Sequence, residues 1–177
     1  MVTGRYTGFR ILGAAVGDAA GSAVSAAGDI NNDGFDDVIV GASYADPPGR
    51  DAMSQNGITY VIFGRKVTSN ANAFTDIDLA NAVTGPTTLF RIYGASHNDF
   101  SGSSVSGAGD FNGDGIDDVI VSATGASPSP STIGAGIAYV IYGSATVVDV
   151  NLTTIVMHPS KGFRILGVAS NDRTGYS

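Results

Sequence analysis

The stretch GDINNDGFDDVIVGA, residues 28–42, recurs as GDFNGDGIDDVIVSA at residues 109–123, with Asp29 and Asp110 standing 81 positions apart. Each copy reads D-x-N-x-D-G-x-x-D, which puts oxygen-bearing side chains at loop positions 1, 3, 5 and 9 and a glycine at position 6. A row of hard oxygens on alternate residues of a tight loop suits a calcium ion, as the opening of an EF-hand loop does. That likeness ends at position 12, where Val40 and Val121 stand, and no bidentate Glu is available because the chain contains none. Each loop runs into a VIV segment that reads as a buried strand, not an exiting helix. The plain alternative is a hairpin turn at Asp33-Gly34 and Asp114-Gly115. Four carboxylates within nine residues would repel one another in a bare turn, and two copies in one register favour the metal.

The repeat extends beyond the loop. GFRILG at 8–13, LFRIYG at 89–94 and GFRILG at 162–167 are three versions of one segment, and ITYVIFG at 58–64 matches IAYVIYG at 137–143. Asp18, Asp99 and Asp172 each precede a glycine by three residues. Between these landmarks lie four strand candidates per unit. The first, GSAVSAAG at 21–28, is rich in small side chains and fits an inner strand that another backbone approaches closely. DVIVGA, the Tyr-containing strand and the FRI strand follow, the last with Phe90 and Ile92 alternating against Arg91 and Tyr93. Pro47, Pro48, Pro128 and Pro130 mark the long loops between second and third strands. A four-stranded antiparallel unit repeated in tandem is a propeller blade. The expected fold is therefore all-β, a partial β-propeller of four-stranded antiparallel blades. It forms one segment over 1–177, with blade repeats at about 14–94 and 95–167, a spare outer strand at 8–13 and the start of a further repeat at 168–177.

Composition bounds the rest. With 43% apolar and 14% charged residues in 177, the chain is globular. Its net charge of −7 is largely local, since half of the sixteen acidic residues, all Asp, lie in the two loops. Such a chain is a poor match for nucleic acid, which demands a basic face. Cysteine is absent, so metal is the available staple. The N-terminal MVTGRYTGFR has no apolar core of a signal peptide and no stretch is long enough to insert in a membrane. A secretion signal is expected outside this chain, which reads as a piece of a longer repetitive protein.

The Gly21-Ser22 and Gly102-Ser103 starts, the acidic loops and the Gly41-Ala42 strand end together resemble the FG-GAP repeat family of integrin α heads and bacterial surface proteins. In the second copy that strand end is Ser122-Ala123, a departure from the literal signature. The resemblance covers nearly all of 8–177. It implies a β-propeller with calcium in the loops joining strands 1 and 2 of a blade, two ions per chain. By position it implies side-chain oxygens from Asp29, Asn31, Asp33 and Asp37 with the Phe35 carbonyl, and from Asp110, Asn112, Asp114 and Asp118 with the Ile116 carbonyl.

Asp36 and Asp117 fall at loop position 8 and are expected to point outward into solvent. His97 and His158 lack a partner at ligand spacing and read as surface residues. No G-x-S-x-G elbow occurs, neither His has a triad partner, and catalysis is not expected. Arg10, Arg91 and Arg164 recur on one strand face, where salt bridging or display to solvent is the simplest reading and a ligand-binding stripe the alternative. Asn151-Leu152-Thr153 fits the glycosylation pattern. Two functions remain open: a calcium-binding adhesion or protein-interaction module at the cell surface or outside it, with an unidentified protein or glycan ligand, or a structural unit whose blades combine across chains. Self-association is expected in either case, through blade faces or by donation of strand 8–13, which would have no sheet of its own.

Overall fold

In the computed structural model, which describes residues 8–49, 54–68, 73–155 and 158–177, the chain begins with β1 (Ile11–Leu12) and β2 (Ala20–Gly28). Then come β3 (Asp37–Ala42), β4 (Ile58–Ile62), β5 (Ile77–Asp78) and β6 (Leu89–Tyr93). The second unit repeats the plan with β7 (Ser101–Gly109), β8 (Asp118–Ala123), β9 (Ile137–Ile141), β10 (Val150–Asn151), a single helical turn α1 (Leu152–Ile155) and β11 (Gly162–Leu166).

The four long strands of each unit pair antiparallel in chain order, β2-β3-β4-β6 and β7-β8-β9-β11. These are the blades expected from the repeat. The third strands, ITYVI and IAYVI, are buried at every position, which explains their unbroken apolar runs. Both inner strands carry the same two register irregularities, between Ala20 and Ala23 and between Ala26 and Gly28, then between Ser101 and Ser104 and between Gly107 and Gly109. Their small residues serve contact between blades. A Cβ on Gly41 would lie 2.0 Å from the Gly102 carbonyl oxygen, so β7 crosses β3 at backbone distance.

Two cores follow from the two faces of the first blade. Ile39, Val61, Phe63 and Ile92 pack against Val105, Val119, Val121 and Tyr139 of the second blade. Val40, Ile58, Tyr60 and Leu89 form a separate cluster on the opposite face, with Ile11, Ala14 and Ile77 at its border.

The spare strand departs from expectation. It shortens to Ile11–Leu12 and lies in parallel with Ile77–Asp78, so it does have a partner in its own chain; residues 1–7 lie outside the described residues. A matching parallel pair joins β10 to the outer edge of β6. Each unit thus contributes a short fifth strand to the blade before it, which the four-strand reading lacked. Arg10 and Arg91 form ion pairs with Asp76 and Asp149 at these junctions, the simplest role foreseen for them.

Candidate metal centre

Each oxygen-rich loop links the first and second strands of its blade, and the two share their hydrogen bonds save one that the second loop adds. In the first loop, the Asp29 carboxylate accepts the N–H groups of Asp33 and Gly34, both at 2.8 Å. In the second, Asp110 accepts those of Gly113 at 2.7 Å, Asp114 at 3.0 Å and Gly115 at 2.9 Å. The Asn at position 3 bonds the Asp at position 5 twice, through Asn31 and Asp33 and through Asn112 and Asp114. Phe35 and Ile116 donate their N–H groups to Asp33 and Asp114, at 3.0 and 2.9 Å. Positions 1, 3 and 5 are therefore drawn around one turn in both copies, and the glycine at position 6 sits at a φ of +89° in each.

Position 9 behaves differently. Asp37 and Asp118 are fully buried, and each spans two backbone segments. Asp37 accepts the N–H of Ile30 at 3.1 Å and of Gly64 at 2.8 Å, while Asp118 accepts those of Phe111 and Gly143, both at 2.9 Å. These carboxylates tie the loop to the end of the third strand. Burial pushes the Asp37 carboxyl up to about 6, opposed by its two N–H donors and reinforced by the nearby charges of Asp33 and Asp29.

The donor chemistry fits a hard divalent cation, since the side chains at positions 1, 3, 5 and 9 of each loop all offer oxygen and a carboxylate has about four acceptor sites. The electrostatics fit as well, because three acids of the first loop repel one another with no basic side chain among them. The geometry is less complete. Among the described residues, no three His, Cys, Asp or Glu side chains converge on one point.

Asp117 does not point into solvent as its position 8 implied. It turns to the first loop and accepts the backbone N–H of Asp29 at 2.9 Å, and the Ser144 N–H donates to the Ile30 carbonyl at 3.0 Å. The second blade thus braces the loop of the first. Asp36, its counterpart, is exposed as expected, and so are His97 and His158. No periodic signal marks Asp117 as a brace, because the contact depends on how two blades sit together.

The FG-GAP repeat family matches this chain at residues 20–62 and 101–141, each match running from the inner strand to the third strand of a blade. Among curated proteins, Integrin alpha-2 of Mus musculus is 35% identical over 105 residues, covering 59% of this chain and 8% of the relative. Integrin alpha pat-2 of Caenorhabditis elegans is 37% identical over 103 residues, covering 58% of this chain and 7% of the relative. The chain spans less than a tenth of the length of these relatives. Among the described residues, no helix is long and apolar enough to cross a membrane.

Proposed function

This chain carries two FG-GAP repeats folded as β-propeller blades, and on that premise we propose that it is a calcium-binding propeller segment of an extracellular or cell-surface protein. Its role is adhesion or another protein–protein contact, without catalysis. The observation that carries this reading is the duplicated loop: both copies repeat the same oxygen set and the same glycine conformation, and share the bonds from positions 5 and 6 to the Asp at position 1. The adhesive role rests on likeness to integrin α chains.

In this reading Asp29, Asn31, Asp33 and Asp37, with the Phe35 carbonyl, hold one ion, and Asp110, Asn112, Asp114 and Asp118, with the Ile116 carbonyl, hold the other. Bound calcium would supply charge neutralisation that lets the acids of each loop stay ionised close together. Asp37 and Asp118 anchor the loop to the third strand, and positions 1, 3 and 5 shape the turn. Calorimetric titration of the folded chain tests this: the expected result is about two calcium ions bound, with magnesium binding more weakly because it demands near-ideal octahedral geometry and gives up its waters reluctantly. A stoichiometry near zero, or no preference between the two ions, would overturn the metal assignment.

A second reading, assembly of blades across chains, is favoured by one comparison. Val105 and Val119, which face the first blade, are 8% and 0% exposed, whereas their counterparts Val24 and Val38 on the open face of the first blade are 64% and 40% exposed. Burying such a face stabilises in proportion to apolar area. Light scattering over a concentration series decides it, since a monomer at every concentration excludes this assembly.

A further inference from the structure

A cavity of about 400 Å³ opens between the two blades. Ile30 and Phe90 of the first blade form one wall, and Ile116, Ile141, Val147 and Val150 of the second form the other. Its size and its mostly apolar lining are those of a small-molecule site. Two charged side chains also reach it, Asp114 and Lys161. Asp114 is engaged within its loop, where its carboxylate accepts Asn112 Nδ2 and the Ile116 N–H, both at 2.9 Å. Lys161 is exposed, and among the described residues no carboxylate pairs with it.

The first unit shows what fills the matching place there. Phe9 and Phe90 each precede the Arg of an FRI segment, and Phe74 and Val147 each stand two residues before the Asp that accepts that Arg's N–H. Phe9 and Phe74 stack with ring centroids 4.7 Å apart and planes 16° from parallel, and the Arg65 guanidinium lies 4.0 Å over the Phe74 ring. The first blade's own cavity, about 310 Å³, has Phe74 and Arg65 in its lining. In the second unit Val147 replaces the ring, and Ser144 replaces the cation directly after the glycine that bonds position 9 of the loop. The connection is shorter as well, since Gly143 to Asp149 spans six positions where Gly64 to Asp76 spans twelve. Among the described residues no ring stands at the place of Phe74, and Phe90 has Phe63, at 5.9 Å, as its aromatic neighbour.

We propose that the cavity between the blades binds a small anionic aromatic molecule, its ring beside Phe90 as Phe74 lies beside Phe9 and its carboxylate on Lys161. Burial of the ring against Ile116, Val147 and Val150 supplies most of the affinity. Contact with Phe90 adds a preference for an aromatic group, and the unpaired Lys161 ammonium selects negative charge. No loop carboxylate is a ligand of this molecule, so the site stands apart from calcium in the loops.

The test adds phenylpropionate to the full chain in calcium-free buffer and follows amide and methyl resonances by NMR. Saturable shifts are expected at Ile116, Val147 and Val150, with a Kd of about 1 mM, and not at Ile77 and Leu89 in the first blade's cavity. On the same unaltered chain, cyclohexylpropionate should bind about fivefold more weakly. Lys161→Ala should weaken phenylpropionate by about threefold and leave the neutral phenylpropanol unchanged. Val147→Phe, which copies the first unit, should abolish binding while raising the melting temperature, as a filled cavity in a folded chain does. No saturable shifts at the cavity, equal shifts in the first blade, equal binding of the cyclohexyl compound, indifference to Lys161→Ala, or binding that survives in a folded Val147→Phe chain would each overturn the proposal.

Discussion

The carboxylate of Asp117, in the oxygen-rich loop of the second blade, accepts the backbone N–H of Asp29, the first residue of the corresponding loop in the first blade, at 2.9 Å. The Asp117 N–H returns the contact to the Asp29 carbonyl at 3.4 Å. One blade therefore orients the leading ligand candidate of its neighbour. Among the described residues no carboxylate braces the second loop in this way, and Asn112 is exposed where Asn31 is buried.

This asymmetry predicts two unequal calcium sites. In an Asp114→Ala background, where only the first loop is intact, adding Asp117→Ala should weaken calcium binding by about tenfold, the lower end of what loss of a ligand-orienting group costs. In an Asp33→Ala background, which leaves only the second loop, Asp117→Ala should change little. Calorimetry on the two pairs reads this directly, and an equal loss in both would mean that Asp117 acts on the fold as a whole.

Gly28 sits against the same carboxylate. Its φ is +68°, and an added Cβ would lie 2.1 Å from the Asp117 oxygen; Gly109, its counterpart at φ +64°, has nothing within 4 Å. Gly109→Ala should cost about 1 kcal/mol from backbone strain alone, and Gly28→Ala at least ~2 kcal/mol because the contact is lost as well. Urea denaturation of both variants gives the difference. Costs that match would show that Asp117 simply moves aside.

Position 9 separates anchoring from metal binding. Asp37→Ala strands the N–H groups of buried Ile30 and half-buried Gly64, and should destabilise the chain by about 2 kcal/mol even in chelator. Asp33→Ala, at an exposed position, should leave the chelated protein nearly unchanged and remove only the stabilisation calcium adds, about 2.7 kcal/mol per site at 100-fold excess over Kd. Thermal melts with calcium and with chelator distinguish the two. A calcium-independent loss of the same size in Asp33→Ala would contradict the division.

Asp99 sets a pH dependence away from the loops. It is buried, accepts the Ser96 N–H at 2.8 Å, and desolvation pushes its carboxyl up to about 6. The native state therefore holds this proton at pH values where the unfolded chain, near 3.9, has released it. Its contribution to stability is complete below about pH 4 and is lost as pH rises through about 6. Asp99→Asn should flatten that decline and raise the melting temperature at pH 7.5 relative to wild type. A steeper decline in the variant would reverse the sign of the argument.

The blades were legible in the chain because their signals are local and repeated. DVIVGA and DVIVSA emerge as β3 and β8 from end to end, and the outer strand β6 alternates between buried Phe90 and Ile92 and half-exposed Arg91 and Tyr93. The oxygen loops were equally plain, since spacing alone places positions 1, 3 and 5 on the inside of a turn. The fifth strands were missed, although Asp76-Ile77-Asp78-Leu79 and Asp149-Val150-Asn151-Leu152 lie 73 residues apart, the same separation as LFRIYG and GFRILG. Two residues of strand are too short for a period to declare itself, and only the repeat of the whole tetrad carries the signal.

Sequence alone determined the strand order within a blade, the chemistry of the loops and the small residues at the inner edge, because each follows from periodicity or from side-chain type over a few neighbouring positions. The tertiary structure decided what lies between blades: that Asp117 crosses to Asp29, that β1 finds Ile77–Asp78, and that Val24 and Ile165 stand open where Val105 and Ile92 are closed. Those contacts join residues 66 to 88 positions apart in the chain. Their existence depends on the placement of one sheet against the next, which backbone periodicity within a strand does not encode.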